Sequence, residues 1–210
     1  MLLRSILFQL GMWIFTIPFT LLSILTFPAS PMHRYKFISL WAKTMLVWLK
    51  WTCNITFRIK GQENIPKNPF IILSKHQSAW ETLAFQKIFP PQVWVMKREL
   101  LFVPFFGWAI GRLHMVPIDR SAKGDAWQRV ALIGARLMDQ GKWIIMFPEA
   151  TRAPRGEQLL YKSGAARLAL ETGAVIVPVA AATGRCWPRA SWTFIPGTVD
   201  VSVEAERTSR

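Results

Sequence analysis

His76 and Glu81 stand five positions apart in the stretch FIILSKHQSAWE, residues 70–81. The apolar residues 70–73 predict a short buried strand, so His76 would lie in the polar corner at its end. A histidine placed there beside a carboxylate can act as a general base that the acid orients. Residues five apart on one helix point about 140° away from each other, so the two side chains can meet only if Glu81 begins the following helix. Ser78 as the N-cap of that helix predicts this arrangement.

A structural interpretation fits the same residues. Ser78 and Glu81 have the spacing of a capping box, in which the Glu81 carboxylate accepts a hydrogen bond from the backbone N–H of Ser78. Glu81 would then serve only to cap the helix, and His76 would be an ordinary loop histidine. The stretch alone does not decide between these two hypotheses.

Strand and helix patterns alternate from Cys53 onward. Strands are predicted at 55–59, 70–73, 93–96, 113–118, 143–147, 175–179 and 198–203. Helices are predicted at 79–89, 100–110, 126–140 and 163–172, the last of them ending at Gly173. This alternation predicts an α/β fold with a mixed, mostly parallel sheet flanked by helices. Ligands of such sheets bind at the carboxyl ends of the strands.

Charged and polar side chains follow several of these predicted strands. They are, in chain order, Lys97 and Arg98, then Asp119 and Arg120, then Glu149, Thr151 and Arg152. Any one of them alone would be explained as part of a solvated rim, but several cations at one sheet edge around His76 would suit the oxygens of a phosphate group. We therefore predict a phosphate-binding site beside His76. The histidines and the cysteines Cys53 and Cys186 lack the spacing of metal ligands, so no metal is predicted.

Four motifs occur in a fixed order between about residues 57 and 196. They are H-x4-E at His76, K-x-E-L followed by P-x-x-G from Lys97, F-P-E-A-T-R ending at Arg152, and V-P ending at Pro178. In this order they resemble the glycerolipid acyltransferase family, in particular the lysophosphatidate (1-acylglycerol-3-phosphate) acyltransferases. The resemblance implies that His76 is the general base, that Glu81 orients it, and that Lys97 and Arg152 bind the lysolipid phosphate, with Arg152 as the main ligand.

Further residues take their roles from the same resemblance. Glu149 and Thr151 would belong to the substrate-binding motif, with Glu149 holding its local geometry. Arg120 is a weaker candidate for the same phosphate, and Pro178 would help to shape the acyl or substrate pocket. The implied reaction transfers a fatty acyl group from acyl-CoA or acyl carrier protein to the sn-2 hydroxyl of 1-acylglycerol-3-phosphate and yields phosphatidate, with no other cofactor.

Two alternatives to this reaction stay open. The same chemistry could act on glycerol-3-phosphate, a lyso-ornithine lipid or another lysophospholipid, because these enzymes share the motifs. A non-catalytic membrane-bound interaction protein is the other hypothesis, although it leaves the ordered motifs at the strand ends unexplained.

Three residues depart from the usual pattern of the family. Glu81 stands where the family usually has Asp, and Lys75 precedes His76 where it usually has Asn. The longer Glu81 side chain requires either a helix that starts farther from His76 or a carboxylate that bends back. Ala150 replaces the usual Gly of the F-P-E-x-T-R motif and would be strained if that position needs a positive φ.

The N-terminal residues predict a membrane attachment. Residues 2–27 are almost wholly apolar and long enough for a transmembrane helix, and a signal peptide is a weaker alternative because no convincing cleavage site follows. In the next predicted helix, Lys36, Lys43 and Lys50 recur every seven residues on one face, opposite an apolar face. This pattern is typical of a helix that lies in the membrane interface, with a core helix as the alternative.

The composition also favours a membrane location. The 210 residues carry a net charge of +14, 51% of them are hydrophobic, and 11 are tryptophan. A charge of this size could attract nucleic acid, an anionic membrane or a phosphorylated substrate, but the hydrophobic content and the lack of a nucleic-acid-binding motif favour membrane lipids. We predict a two-helix membrane anchor at 1–52 and an acyltransferase domain at 53–210, at a bacterial-type inner membrane with the active site on the cytoplasmic side.

Overall fold

The computed structural model describes residues 1–26, 28–118 and 125–207. The helices are α1 (Leu2–Leu25), α2 (Pro31–Cys53), α3 (Trp80–Ile88), α4 (Phe106–Gly111), α5 (Asp125–Asp139) and α6 (Gly164–Thr172). The strands are β1 (Ile55–Lys60), β2 (Ile71–Ser74), β3 (Gln92–Lys97), β4 (Val116–Ile118), β5 (Trp143–Met146), β6 (Ile176–Ala181) and β7 (Gly197–Val203).

The strands form one seven-stranded sheet in the order β1-β7-β6-β2-β5-β3-β4. From β6 to β4 every pairing is parallel, while β7 pairs antiparallel with β6 and parallel with β1. The carboxyl ends of β2, β3, β5 and β6 therefore meet at one edge of the sheet. The predicted mixed, mostly parallel α/β fold is confirmed.

Helices cover both faces of this sheet because the central strands are apolar on both sides. In β2, Ile72 packs into a core with α2 and α3, whereas its neighbour Ile71 packs into a second core with α5 and α6. In β5, Ile145 packs into the first of these cores and Ile144 into the second. Strands buried on both faces read as continuous apolar runs, which is the pattern of 70–73 and 143–147 in the sequence.

Helix α1 turns its small and hydroxyl-bearing side chains toward the protein. The buried positions of α1 are Ser5, Phe8, Gly11, Thr16, Thr20 and Ser23. Its large apolar side chains face outward, for example Leu3 at 79% and Ile14 at 65% exposure. This distribution suits lipid on the outer side, because helices in membranes approach their neighbours through small residues. Among the described residues, α1 alone is long and apolar enough to cross a membrane.

Helix α2 packs its apolar face onto the domain rather than leaving it uncovered. Met45 and Leu49 are fully buried in the core beneath α3, while Lys36, Lys43 and Lys50 are exposed on the outer face. The lysine stripe and the apolar face are therefore as the sequence indicates, but the apolar face contacts protein. The division into a two-helix anchor at 1–52 and a domain at 53–210 stays a prediction.

The single helix predicted at 100–110 is wrong. A 3-10 turn, Arg98–Phe102, is followed by a break and then by α4. Pro104 causes the break, because the residue before a proline is driven to extended backbone, and Val103 has φ −69° and ψ 118°. The end of α6 is as predicted, since Gly173 has a φ of 66°, which glycine adopts without strain.

Candidate functional site

His76 lies in the loop directly after β2, and Glu81 lies in the first turn of α3. The Glu81 side chain is fully buried, and its Oε2 lies 3.3 Å from Nδ1 of His76. The histidine side chain keeps 14% of its surface exposed. Nδ1 makes no hydrogen bond of good geometry with the described residues, so the contact with Glu81 is one of charge and proximity. A carboxylate this close to Nδ1 still favours the tautomer with the proton on that nitrogen and Nε2 unprotonated.

The carboxylate of Glu81 also accepts hydrogen bonds from the loop that carries His76. The backbone N–H groups of Gln77 and Ser78 donate to Glu81 Oε1 at 3.0 Å, and that of Ser78 also donates to Oε2 at 3.0 Å. The Ser78 hydroxyl in turn accepts the backbone N–H of Trp80 at 3.1 Å. The capping interaction and the contact with His76 are therefore made by the same bent-back carboxylate. The two hypotheses are not exclusive.

Thr183 completes the surroundings of Glu81, although none of the sequence motifs includes it. Its fully buried hydroxyl donates a hydrogen bond to Glu81 Oε1. Thr183 follows β6, which continues to Ala181, two residues beyond the predicted strand end. In the sequence, Thr183 is the first polar residue after the long apolar run that begins at 175. The predicted strand ends at 179, which separates Thr183 from the strand end.

The F-P-E-A-T-R motif lies beside His76 because β5 and β2 are neighbouring parallel strands. The ring of Phe147 stacks on the imidazole with centroids 4.0 Å apart and planes 16° from parallel. The backbone N–H of Ala153 donates to the carbonyl oxygen of His76 at 2.6 Å. These contacts fix both the ring plane and the backbone of the histidine.

Glu149 is a second buried carboxylate at this edge, with 4% exposure. Its Oε2 accepts the backbone N–H of His76 at 3.4 Å, and its Oε1 has no partner among the described residues. Burial raises the pKa of Glu149, opposed by its backbone hydrogen bonds and the nearby charges of His76 and Lys75. Glu149 thus contacts the backbone of the histidine loop rather than the imidazole.

Ala150 adopts the backbone conformation that the family's glycine suggests. Its φ is 57°, in the left-handed region that side chains with a Cβ avoid. The turn closes with a hydrogen bond from the Ala150 N–H to the carbonyl oxygen of Phe147 at 3.0 Å. This position therefore carries backbone strain in the present sequence.

The predicted phosphate ligands are distributed unevenly around His76. Arg152 is exposed and lines the cavity described below, and Thr151 is exposed beside it. Lys97 is exposed at the end of β3, two strands from β2, and makes no hydrogen bond or ion pair with the other described site residues. Arg120 lies outside the described residues. Pro178 lies within β6 in register with Leu73 and does not line the cavity.

An apolar cavity of about 250 Å³ begins near the site and extends between the N-terminal helices and the domain. Its lining includes Arg152 of the F-P-E-A-T-R motif and Ala79 and Thr82 from the region of Glu81. Most of the remaining lining comes from α1, α2, α3 and the residues around α4, including Thr16, Phe19, Trp41, Leu83, Val103 and Phe106. No sequence motif indicates this cavity, because its walls meet only in the folded chain.

Comparisons with known proteins agree with the motifs. Residues 56–182 match the model of the Acyltransferase family. The chain is 38% identical over 204 residues to the 1-acyl-sn-glycerol-3-phosphate acyltransferase of Pseudomonas aeruginosa, covering 96% of this chain and 79% of that relative. It is 32% identical over 139 residues to the human 1-acyl-sn-glycerol-3-phosphate acyltransferase alpha, covering 65% of this chain and 49% of that relative.

A solved structure supports the same assignment. The crystal structure of the 1-acyl-sn-glycerophosphate acyltransferase PlsC from Thermotoga maritima superposes with a TM-score of 0.78 at 26% identity. The match covers 99% of this chain and 85% of that one. By fold, by motif order and by sequence similarity, the chain belongs to the acyltransferase family.

Proposed function

We propose that this acyltransferase transfers a fatty acyl group from acyl-CoA or acyl carrier protein to the sn-2 hydroxyl of 1-acylglycerol-3-phosphate, giving phosphatidate. The observation that carries the proposal is the fully buried Glu81 beside Nδ1 of the partly exposed His76. The relatives from Pseudomonas aeruginosa and human, whose names state this acceptor, support the choice of substrate.

In the proposed reaction His76 is the general base. Its Nε2 takes the proton of the sn-2 hydroxyl while that oxygen attacks the thioester carbonyl carbon. The carbon–sulfur bond then breaks, and the departing thiolate takes the proton from the imidazolium. Glu81 holds the Nδ1–H and stabilises the imidazolium, as the acid of a hydrolase triad does. The substrate hydroxyl is itself the nucleophile, so the reaction needs no acyl-enzyme.

Arg152 is the phosphate ligand that the geometry favours. It is the one cationic side chain among the described residues that line this cavity, and a guanidinium can hold two phosphate oxygens at once. We assign Glu149 to the geometry of the loop, because it accepts the N–H of His76. Lys97, Thr151 and Arg120 are retained as weaker candidates.

The apolar cavity is the place for an acyl chain. Thr16, Thr20 and Ser23 of α1 face the cavity, but each of their hydroxyls donates to a backbone carbonyl, so none is left unpaired against an apolar chain. We place the reactive end of such a chain toward Arg152 and Ala79, the lining residues that belong to the two motifs around His76. The lipid substrates reside in the membrane, and we place the site on the cytoplasmic side, where thioester donors occur.

Acyl transfer from labelled acyl-CoA and labelled acyl carrier protein tests the proposal. Membranes that carry the chain would be supplied in parallel with 1-acylglycerol-3-phosphate, glycerol-3-phosphate, a lyso-ornithine lipid and lysophosphatidylcholine. We expect labelled phosphatidate with the first acceptor and much less product with the others. Preferred transfer to another acceptor would overturn the substrate assignment but leave the reaction class intact.

A pair of arginine variants tests the phosphate ligand within the same assay. Arg152→Ala should raise the KM for 1-acylglycerol-3-phosphate by about tenfold or more, since one charge-assisted hydrogen bond contributes roughly 1.5–3 kcal/mol. Arg155→Ala, also exposed and three residues farther along, does not line the cavity and is the matched control. Equal effects of the two variants would reject Arg152 as a specific ligand.

A further inference from the structure

Segment 100–108, between β3 and the middle of α4, exposes large apolar side chains to the surroundings. Phe102 is 72% exposed, Trp108 is 51% exposed and Leu100 is 39% exposed. No covering element for them occurs among the residues that the structure describes. A cluster of this kind on a protein surface commonly marks a contact with another molecule or with a membrane.

The segment is attached directly to α1. The hydroxyl of Thr20 donates a hydrogen bond to the carbonyl oxygen of Phe105 at 3.2 Å. Residues of both elements line the same cavity, Phe19 and Thr20 from one side and Val103 and Phe106 from the other. The segment is therefore held against the inward side of α1, close to the C-terminal end of that helix.

The backbone of the segment is held in a strained turn that separates its aromatic side chains. Phe105 has φ 60° and ψ −61°, and the N–H of Phe106 donates to the carbonyl oxygen of Pro104 at 2.7 Å. This is a γ-turn of the rare, strained kind. Phe106 lines the cavity, whereas Phe105 packs against the exposed Trp108, with the centroids of the two rings 5.1 Å apart. Such strain persists where the surrounding structure requires it.

The segment contacts α1 near the C-terminal end of that helix. Thr20 lies five residues before Leu25, the end of α1, which is about 7.5 Å along the helix axis. Lys97 and Arg98, both exposed, precede the segment. Aromatic side chains together with lysine and arginine are the composition that membrane interfaces favour, the aromatics at the boundary and the cations toward anionic headgroups.

We propose that segment 100–108 is a second membrane contact, in which Phe102 and Trp108 insert into the bilayer beside α1. The occupant of this surface is lipid, because the segment is hydrogen-bonded to the one candidate membrane-spanning helix among the described residues and is preceded by the exposed cations Lys97 and Arg98. The two contacts would frame a lateral opening through which an acyl chain passes from the bilayer into the cavity. That last function rests on the proposed acyl transfer, whereas the membrane contact itself does not.

Site-specific fluorescence tests the contact on the full chain in vesicles of phosphatidylcholine and phosphatidylglycerol. Phe102→Cys would be labelled with an environment-sensitive nitrobenzoxadiazole dye, and Trp108→Cys provides a second position. Both native cysteines are 1% exposed, so the unsubstituted protein is the labelling blank. Leu170→Cys is the matched control, since Leu170 is 68% exposed on α6, a helix that packs chiefly against α5 and β2.

We expect blue-shifted emission at positions 102 and 108, together with quenching by doxyl-labelled lipid, and water-like, unquenched emission at position 170. Water-like emission at both test positions would overturn the proposal. A blue shift without quenching by the lipid would also overturn it, because that result indicates a protein partner or a second copy of the chain. Phosphatidate synthesis by the same labelled samples reports separately on the proposed function.

Discussion

At the scale of single residues, the chemistry depends on how the carboxylate of Glu81 is shared. Oε2 lies next to Nδ1 of His76, while Oε1 accepts the N–H of Gln77 and the hydroxyl of Thr183. A buried carboxylate needs several donors to remain charged, and a fixed carboxylate orients the imidazole. The capping interaction therefore positions Glu81 for its contact with His76.

Thr183 is a positioning residue in this arrangement, and its removal should lower turnover without weakening substrate binding. Thr183→Val keeps the shape but removes a hydrogen bond to a charged group that contributes roughly 1.5–3 kcal/mol. We expect kcat to fall about tenfold with little change in either KM. Thr183→Ser keeps the hydroxyl and should restore most of the rate. Loss of activity in both variants, or a rise in KM instead, would argue for a purely structural role.

At the scale of elements, the turn after β5 stores strain that a single substitution can release. The φ of 57° at Ala150 costs about 1–2 kcal/mol relative to right-handed backbone, and a glycine would remove this cost. The greater conformational freedom of glycine in the unfolded chain opposes the gain by about 0.5–1 kcal/mol. Ala150→Gly should therefore stabilise the protein by about 0.5–1 kcal/mol, measured by thermal unfolding in detergent. Ala150→Val should destabilise it, because a β-branched side chain tolerates this φ still less. A loss of stability on Ala150→Gly would refute the strained turn.

The packing of α1 onto α2 depends on a close approach at Gly11. A Cβ at this position would overlap Nε1 of Trp48, so the helices must separate or the indole must move. Gly11→Ala should destabilise the pair by about 1–3 kcal/mol, the usual cost of overpacking. Gly111→Ala in α4 is the control, since its new Cβ would meet only a side-chain carbon of Leu101 at 3.7 Å. Equal thermal stability of the two variants would contradict the close packing of α1.

The fold was largely predictable because its strands are short apolar runs separated by polar corners. The position of Glu81 at the start of a helix followed from Ser78 and the spacing of five. Thr183 and the cavity were not predictable from local pattern, since they join residues far apart in the chain. The apolar periodicity of 100–110 does not produce one helix, because Pro104 interrupts the backbone hydrogen bonding.

At the scale of the whole molecule, the outward face of α1 should dominate membrane attachment over the net charge of +14. Salt screens charges but does not weaken the burial of apolar side chains, so the protein should stay in the membrane fraction through high-salt and alkaline carbonate washes. Ile14→Asp should reduce this retention, because a charge inside the bilayer costs about 2.5–3.5 kcal/mol. Leu170→Asp on α6 should not reduce it. Release of the unsubstituted protein by salt alone would indicate purely electrostatic attachment.

The most direct test of the central claim is the rate of phosphatidate formation from acyl-CoA and 1-acylglycerol-3-phosphate by wild type and His76→Ala. A general base contributes about 10²–10⁴-fold in rate, so His76→Ala should lose at least that factor. His33→Ala, which removes an exposed histidine of α2, should retain full activity. If His76→Ala transfers acyl groups as fast as wild type, His76 is not the general base.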